Sequence, residues 1–198
     1  MNSLTVYCAS STQLEPAFHE AADRVGSGLA SRGLSLVYGG GCIGLMGEVA
    51  SSAAKGGAIV TGIITHKFVS HEQANNECDE LIVVDTMQER RTIMMEKGDG
   101  YLVLPGGVGT YEEFFEVLVG RQIGDHTKPI GIVNINGYFD PLSDMLEHGI
   151  EHHFIRKALR QLVFINSCPD AVLDHLVSHE VVELHPNEIL PMHGGNEG

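Results

Sequence analysis

Apolar residues along this chain follow two rhythms. Seven short runs are almost continuously apolar: residues 4–9 (LTVYCA), 34–38 (LSLVY), 58–64 (AIVTGII), 80–85 (ELIVVD), 100–107 (GYLVLPGG), 129–135 (PIGIVNI) and 162–167 (LVFINS). Their length and β-branched content predict strands. Between them the apolar positions recur at helical spacing. Leu14, Ala17, Phe18, Ala21, Val25 and Leu29 mark a helix over 13–31, ended by Gly33. Further helices are expected at 45–55, stopped by Gly56-Gly57; at 86–98, with Thr86 as N-cap; at 110–123; at 137–154; and at 168–179. Thr110 is the expected cap of the 110–123 helix, with Glu113 at the capping-box position. Residues 65–79 are polar and irregular and read as a loop.

Strands that are apolar throughout, not alternating, suit a parallel sheet buried on both faces. Alternating strand and helix then predicts one doubly wound, Rossmann-like α/β domain over residues 1–185, with a frayed tail over 186–198. In such sheets ligands bind beyond the C-terminal ends of the strands. Three stretches are expected there: Cys8–Ser11, Gly39–Gly47 and Pro105–Thr110.

Composition narrows the picture. The 198 residues suffice for one well-buried domain, with 43% hydrophobic and 19% charged residues. No apolar run reaches the roughly 20 residues of a membrane-spanning helix, and the N-terminal stretch has no secretory pattern. Four widely spaced cysteines suit reduced thiols in the cytoplasm. The net charge of −14 argues against nucleic acid and anionic membrane as partners. A small phosphorylated ligand stays compatible, but its site must create positive potential locally.

Two glycine turns offer that. The stretch YGGGCIGLMG (38–47) contains GxGxxG, follows a strand and opens a helix. An acidic residue to hold an NAD ribose is missing from residues 58–66, so NAD is disfavoured, while Gly40 and Gly41 remain candidates for phosphate or ribose. The second turn is LPGGVGTYEEFFE (104–116). Gly106, Gly107, Val108 and Gly109 let backbone N–H groups approach an anion, and Thr110 adds a hydroxyl. No lysine follows, so this is not a triphosphate-binding Walker loop. Glu112, Glu113 and Glu116 come next. Helix-start acids explain Glu112 and Glu116, whereas Glu113 either closes the capping box or points over the turn at the ligand. Positive charge comes from TMQERRTIMMEKG, where Met87, Arg90, Arg91 and Met94 share one helical face. Such neighbours predict that at least one arginine is partly buried with an anionic partner.

The stretch MQERRTIMMEKGDGYLVLPGGVGTYEEFFE resembles the signature of the LOG (LONELY GUY) family, often labelled "possible lysine decarboxylase". That signature is M-x-x-R-K/R followed by P-G-G-x-G-T-x-x-E. The resemblance extends over roughly residues 3–178. It implies a Rossmann-like homodimer that hydrolyses the N-glycosidic bond of N6-modified AMP, or of AMP, without a cofactor. It also implies catalytic roles for Arg90 and Glu113. Substrate contacts are implied for Glu72, Met87, Arg91, Gly106, Gly107, Val108, Gly109, Thr110, Tyr111 and Glu112, with Ser10, Gly40 and Gly41 nearby. Gln88 stands where many members have histidine, and Val119, Gly120 and Arg121 depart from the usual helix sequence. A molybdenum-cofactor or nucleotide carrier on the same fold is the alternative.

Other chemistries fit less well. His148 and His152 have i, i+4 spacing but lack an HExxH context, so no metal is expected. The five lysines (Lys55, Lys67, Lys97, Lys128, Lys157) include none at a glycine turn, which speaks against a pyridoxal-phosphate Schiff base.

Overall fold

The computed structural model describes residues 1–69 and 74–179. The expected tail at 186–198, and Glu72, lie outside the described residues. The strands are β1 (Ser3–Tyr7), β2 (Ser35–Tyr38), β3 (Val60–Thr65), β4 (Glu80–Val84), β5 (Tyr101–Val103), β6 (Ile130–Val133) and β7 (Val163–Asn166). The α-helices are α1 (Pro16–Ser31), α2 (Gly44–Lys55), α3 (Met87–Lys97), α4 (Val108–Ile123), α5 (Asp140–Glu151) and α6 (Pro169–Val177). Short 3₁₀ turns, not expected from the sequence, occupy Ile135–Gly137 and Lys157–Gln161.

All seven strands are parallel, in the order β4-β3-β2-β1-β5-β6-β7. This is the doubly wound α/β arrangement expected from the apolar runs. The direction of winding reverses between β1 and β5, and the crevice beyond their C-terminal ends is where such folds bind ligands.

The sheet separates two cores. On one face α1, α2 and α6 pack Val25, Leu29, Val49 and Leu173 against Leu4, Val6, Leu36 and Tyr38. On the other face Met94, Phe114, Val117, Leu118 and Leu142 pack against Tyr7, Val37, Ile63 and Val103. The second layer carries α3 and α4, the helices with Arg90 and Glu113.

The helix starts hold one confirmation and one correction. Thr86 caps α3 as expected: its side chain accepts from Glu89 N–H, and Glu89 reaches back to Thr86 N–H at 3.1 Å. Thr110 does not cap α4. The helix begins two residues earlier, at Val108, with Gly107 as an extended N-cap that has no side chain to offer. Gly106 explains the shift. A β-carbon there would stand 2.1 Å from Thr110 Oγ1, so only glycine lets the chain turn tightly enough for Thr110 to fall inside the first helical turn. Glu113 is therefore not a capping-box residue, and it lies in the second turn of α4.

The capping box makes a test of the fold. Thr86→Ala should cost about 1 kcal/mol and lower Tm by roughly 2–4 °C in a domain of this size. Thermal unfolding checks this, and an unchanged Tm would mean that the cap does not hold α3.

Candidate active site

A cavity of about 300 Å³ opens at the crevice between β1 and β5. Four segments build it. The loop after β1 supplies Cys8, Ala9, Ser10 and Ser11; the end of β2 supplies Gly39; α3 supplies Met87, Arg90 and Met94; and the α4 start supplies Gly107, Gly109, Thr110, Glu112 and Glu113. Val6 and Tyr7 of β1, Met46 of α2 and Phe68, after β3, complete the wall.

Backbone hydrogen bonds lock these segments together. Ala9 N–H donates to Pro105 O at 3.1 Å, and Met46 N–H donates to Ala9 O at 3.3 Å. The loop after β1 is thereby tied to both glycine turns. Tyr138 O–H donates to Gly106 O at 2.6 Å and steadies the second turn from outside.

Arg90 is the most constrained group in the wall. Its residue is 5% exposed. Nε–H donates to Ile63 O at 3.0 Å and Nη2–H to Gly39 O at 2.9 Å, so the guanidinium bridges β3 and the residue that follows β2. Its central carbon lies 5.9 Å from the Phe68 ring centroid, within cation–π reach. Gly39 makes room for it: a β-carbon there would stand 2.3 Å from Arg90 Nη2.

Arg91, the next residue, points elsewhere. Its Nε pairs with Glu116 at 2.8 Å and its Nη1 with Glu112 at 3.1 Å. The expected arginine–carboxylate pairing is found here, and it ties α3 to α4. Arg91 is not part of the cavity wall.

The start of α4 faces the same space. Gly107, Val108 and Gly109 are exposed, while Thr110 is 4% exposed. The first-turn amides have no intrahelical acceptor, and the glycine N-cap has no side chain to satisfy them. With the helix dipole they form a local anion-binding potential in an acidic protein. Glu113, half-buried one turn further on, stands on the cavity wall beside Arg90.

Of the residues expected in the site, Ser10, Met87, Arg90, Gly107, Gly109, Thr110, Glu112 and Glu113 line the cavity. Gly106, Val108 and Tyr111 belong to the same turn and helix but are not in its wall. Gly40 and Gly41 are buried behind it. Gly40 adopts φ +75° and packs on Ile63 and Ile64, and Gly41 bridges to Ala74. The first glycine turn is mainly a packing device, with Gly39 as its contribution to the wall. Three wall residues had no sequence cue toward a site: Val6 and Tyr7 read as strand and Phe68 as loop. Among the described residues no lysine lines the cavity.

Comparison with known proteins agrees with this architecture. The family described as "Possible lysine decarboxylase" matches residues 46–176. The cytokinin riboside 5′-monophosphate phosphoribohydrolase LOG2 of Arabidopsis thaliana is 34% identical over 189 residues, covering 96% of this chain and 88% of that protein. The chain belongs to the LOG family. The Rhodococcoides fascians cytokinin riboside 5′-monophosphate phosphoribohydrolase is 40% identical over 169 residues, covering 85% of this chain and 84% of its own. As a member of the LOG family the protein is a glycosyl hydrolase. Among solved structures, the molybdenum cofactor binding protein of Rippkaea orientalis superposes with a TM-score of 0.69 at 22% identity, over 89% of this chain and 96% of that one. The Chlamydomonas reinhardtii molybdenum cofactor carrier protein gives 0.67 at 18% identity, over 90% and 99%. These two likenesses establish the shared fold.

Arg90 supports the fold as well as the site. Arg90→Ala strips a donor from each of two buried carbonyls and should cost about 1–3 kcal/mol of stability, read as a lower midpoint in urea. An unchanged midpoint would mean that the guanidinium does not brace these carbonyls.

Proposed function

We propose that this protein hydrolyses the N-glycosidic bond of adenosine 5′-monophosphate and its N6-modified forms, releasing free base and ribose 5-phosphate. The observation that carries this reading is the placing of Arg90 and Glu113 on one cavity wall beside the uncapped start of α4, in a chain of the LOG family.

The parts then divide the substrate between them. The amides of Gly107–Thr110 hold the phosphate, where partial positive charge is available without a cluster of basic side chains. Met46, Met87, Met94 and Phe68 offer the apolar surface that suits a purine and a hydrocarbon substituent on N6. Between these regions the ribose C1 comes to Glu113.

Breaking a ribosyl C–N bond gives the sugar oxocarbenium character and pushes electron density onto the base. The Glu113 carboxylate stabilises the cationic sugar and takes a proton from the attacking water. Arg90, fixed by two carbonyls, supplies positive charge against the density that builds on the departing base. Water adds at C1 and its proton passes to Glu113, while the base leaves with the bonding pair and takes a proton from solvent, to which Glu113 then returns its own. Arg91 acts through its pairs with Glu112 and Glu116, keeping α3 and α4 in register.

We also propose that the protein works as a homodimer in the cytoplasm. Met95, Phe115, Val119 and Ile123 line an apolar groove between α3 and α4, with Val119 and Ile123 about half exposed, a surface suited to a second copy. The four widely spaced cysteines suit a reducing compartment. Light scattering should give twice the chain mass, and a monomer mass would refute the dimer.

Glu113→Gln keeps the shape of the side chain and removes its charge. Release of ribose 5-phosphate from AMP should fall by about 10²–10⁴-fold, while Tm stays near that of the unsubstituted protein. Release at an undiminished rate would remove Glu113 from the mechanism. Tight nucleotide binding by the unsubstituted protein with no free base formed would favour a carrier instead.

A further inference from the structure

Arg121 is one of the residues by which α4 departs from the usual LOG helix sequence, and it lies outside the wall of the active-site cavity. It sits in the last turn of α4 and is only 5% exposed. Its Nη1–H donates to Leu162 O, just before β7, at 2.8 Å. Its Nη2 lies 3.0 Å from Nε2 of His179, which follows α6. α4 packs on one face of the sheet and α6 on the other. The pair therefore clasps the two helical layers together beside the edge strand β7.

The chemistry of the two groups fixes where the protons are. A guanidinium offers only N–H donors and keeps its charge. His179 Nε2 must then be the acceptor, with the ring proton on Nδ1. An imidazolium carries N–H on both nitrogens and has no lone pair to give. A protonated His179 would set a second cation against a buried one that has lost an acceptor, which is costly. Among the described residues, the titratable groups that face His179 are Arg121 from α4 and His175 from α6. The β7 side presents Phe164, whose ring stacks on His175 with centroids 4.0 Å apart and planes 10° from parallel. The His175 and His179 rings are 5.9 Å apart. Burial, and after it the charge of Arg121, hold both imidazoles below their ordinary pKa, and His175 lowers His179 further.

We propose that Arg121 and His179 form an acid-sensitive clasp, closed while the imidazole is neutral and released when it takes a proton, which frees the last turn of α6 from α4. The open form binds the proton more tightly than the closed form. The clasp is therefore fully closed above the ordinary histidine range, about pH 6.5. Below it the open population grows about tenfold per pH unit, until the pH reaches the lower pKa of the closed form.

Hydrogen exchange of the amides of residues 174–178, taken relative to intrinsic rates from about pH 5 to pH 8, is the test. Asp170 of α6, whose carboxyl Arg24 and then Arg32 hold below the usual range, stays ionised throughout that window. His126, after α4, is also lowered by burial and responds to acid on its own account. A substitution of His179 isolates the clasp from it. His179→Gln supplies a side-chain carbonyl that accepts from Arg121 and does not titrate. In the unsubstituted protein, protection should fall about tenfold per pH unit below about pH 6.5, and H179Q should remove that fall. Protection independent of pH in the unsubstituted protein, or an equally steep fall in H179Q, would overturn the proposal. Should H179Q not fold, the imidazole ¹⁵N spectrum of the unsubstituted protein decides. At about pH 8, above the histidine range, His179 should carry its proton on Nδ1 with Nε2 bare, and a protonated Nε2 overturns the clasp.

Discussion

The buried guanidinium of Arg90 is the constraint around which the site is arranged. A cation removed from water has to be satisfied where it lies. Part of that satisfaction comes from Ile63 O in β3 and Gly39 O just after the adjacent β2. Gly39 must lack a side chain for the group to fit. The α3 helix must begin where its capping box sets it, so that Arg90 reaches these carbonyls. Its neighbour Arg91 then reaches Glu112 and Glu116 and fixes the distance to α4. One buried charge thereby links two strands, two helices and both glycine turns.

The same logic resolves an apparent conflict in the chain. An anion site beside three glutamates, in a protein of net charge −14, looks unfavourable. The local sources of positive potential are backbone amides and arginines. Arg91 holds Glu112 and Glu116, while the α4 amides at Gly107–Thr110 face the cavity. Glu113 sits one turn further along the helix. In the proposed reading the phosphate lies at these amides and the ribose C1 at Glu113, one turn apart along α4.

Much of this was legible in the sequence. Continuous apolar runs at strand length implied a parallel sheet, and all seven strands are parallel. Thr86 and Glu89 mark a helix start that the structure reproduces. Thr110 and Glu113 carry the same pattern and do not behave that way, because the pattern is blind to Gly106. With no side chain there, the turn closes earlier and draws Thr110 into the helix. Helical spacing puts Arg90 and Arg91 on one face with Met87 and Met94, although i and i+1 positions on a helix point about 100° apart. The buried member goes to the carbonyls of Ile63 and Gly39, and the other to the carboxylates. Tyr7 and Phe68 were hidden for a different reason. A strand tyrosine and a loop phenylalanine carry no local sign of what the fold brings against them.

The most direct test is the product balance of the unsubstituted protein with AMP and with N6-isopentenyl-AMP, resolved by chromatography. Free base and ribose 5-phosphate in equal amounts, formed with either nucleotide, are the predicted result. Nucleotides recovered intact, or converted to nucleoside and inorganic phosphate, would contradict the assignment of Glu113 and Arg90 to the glycosidic bond.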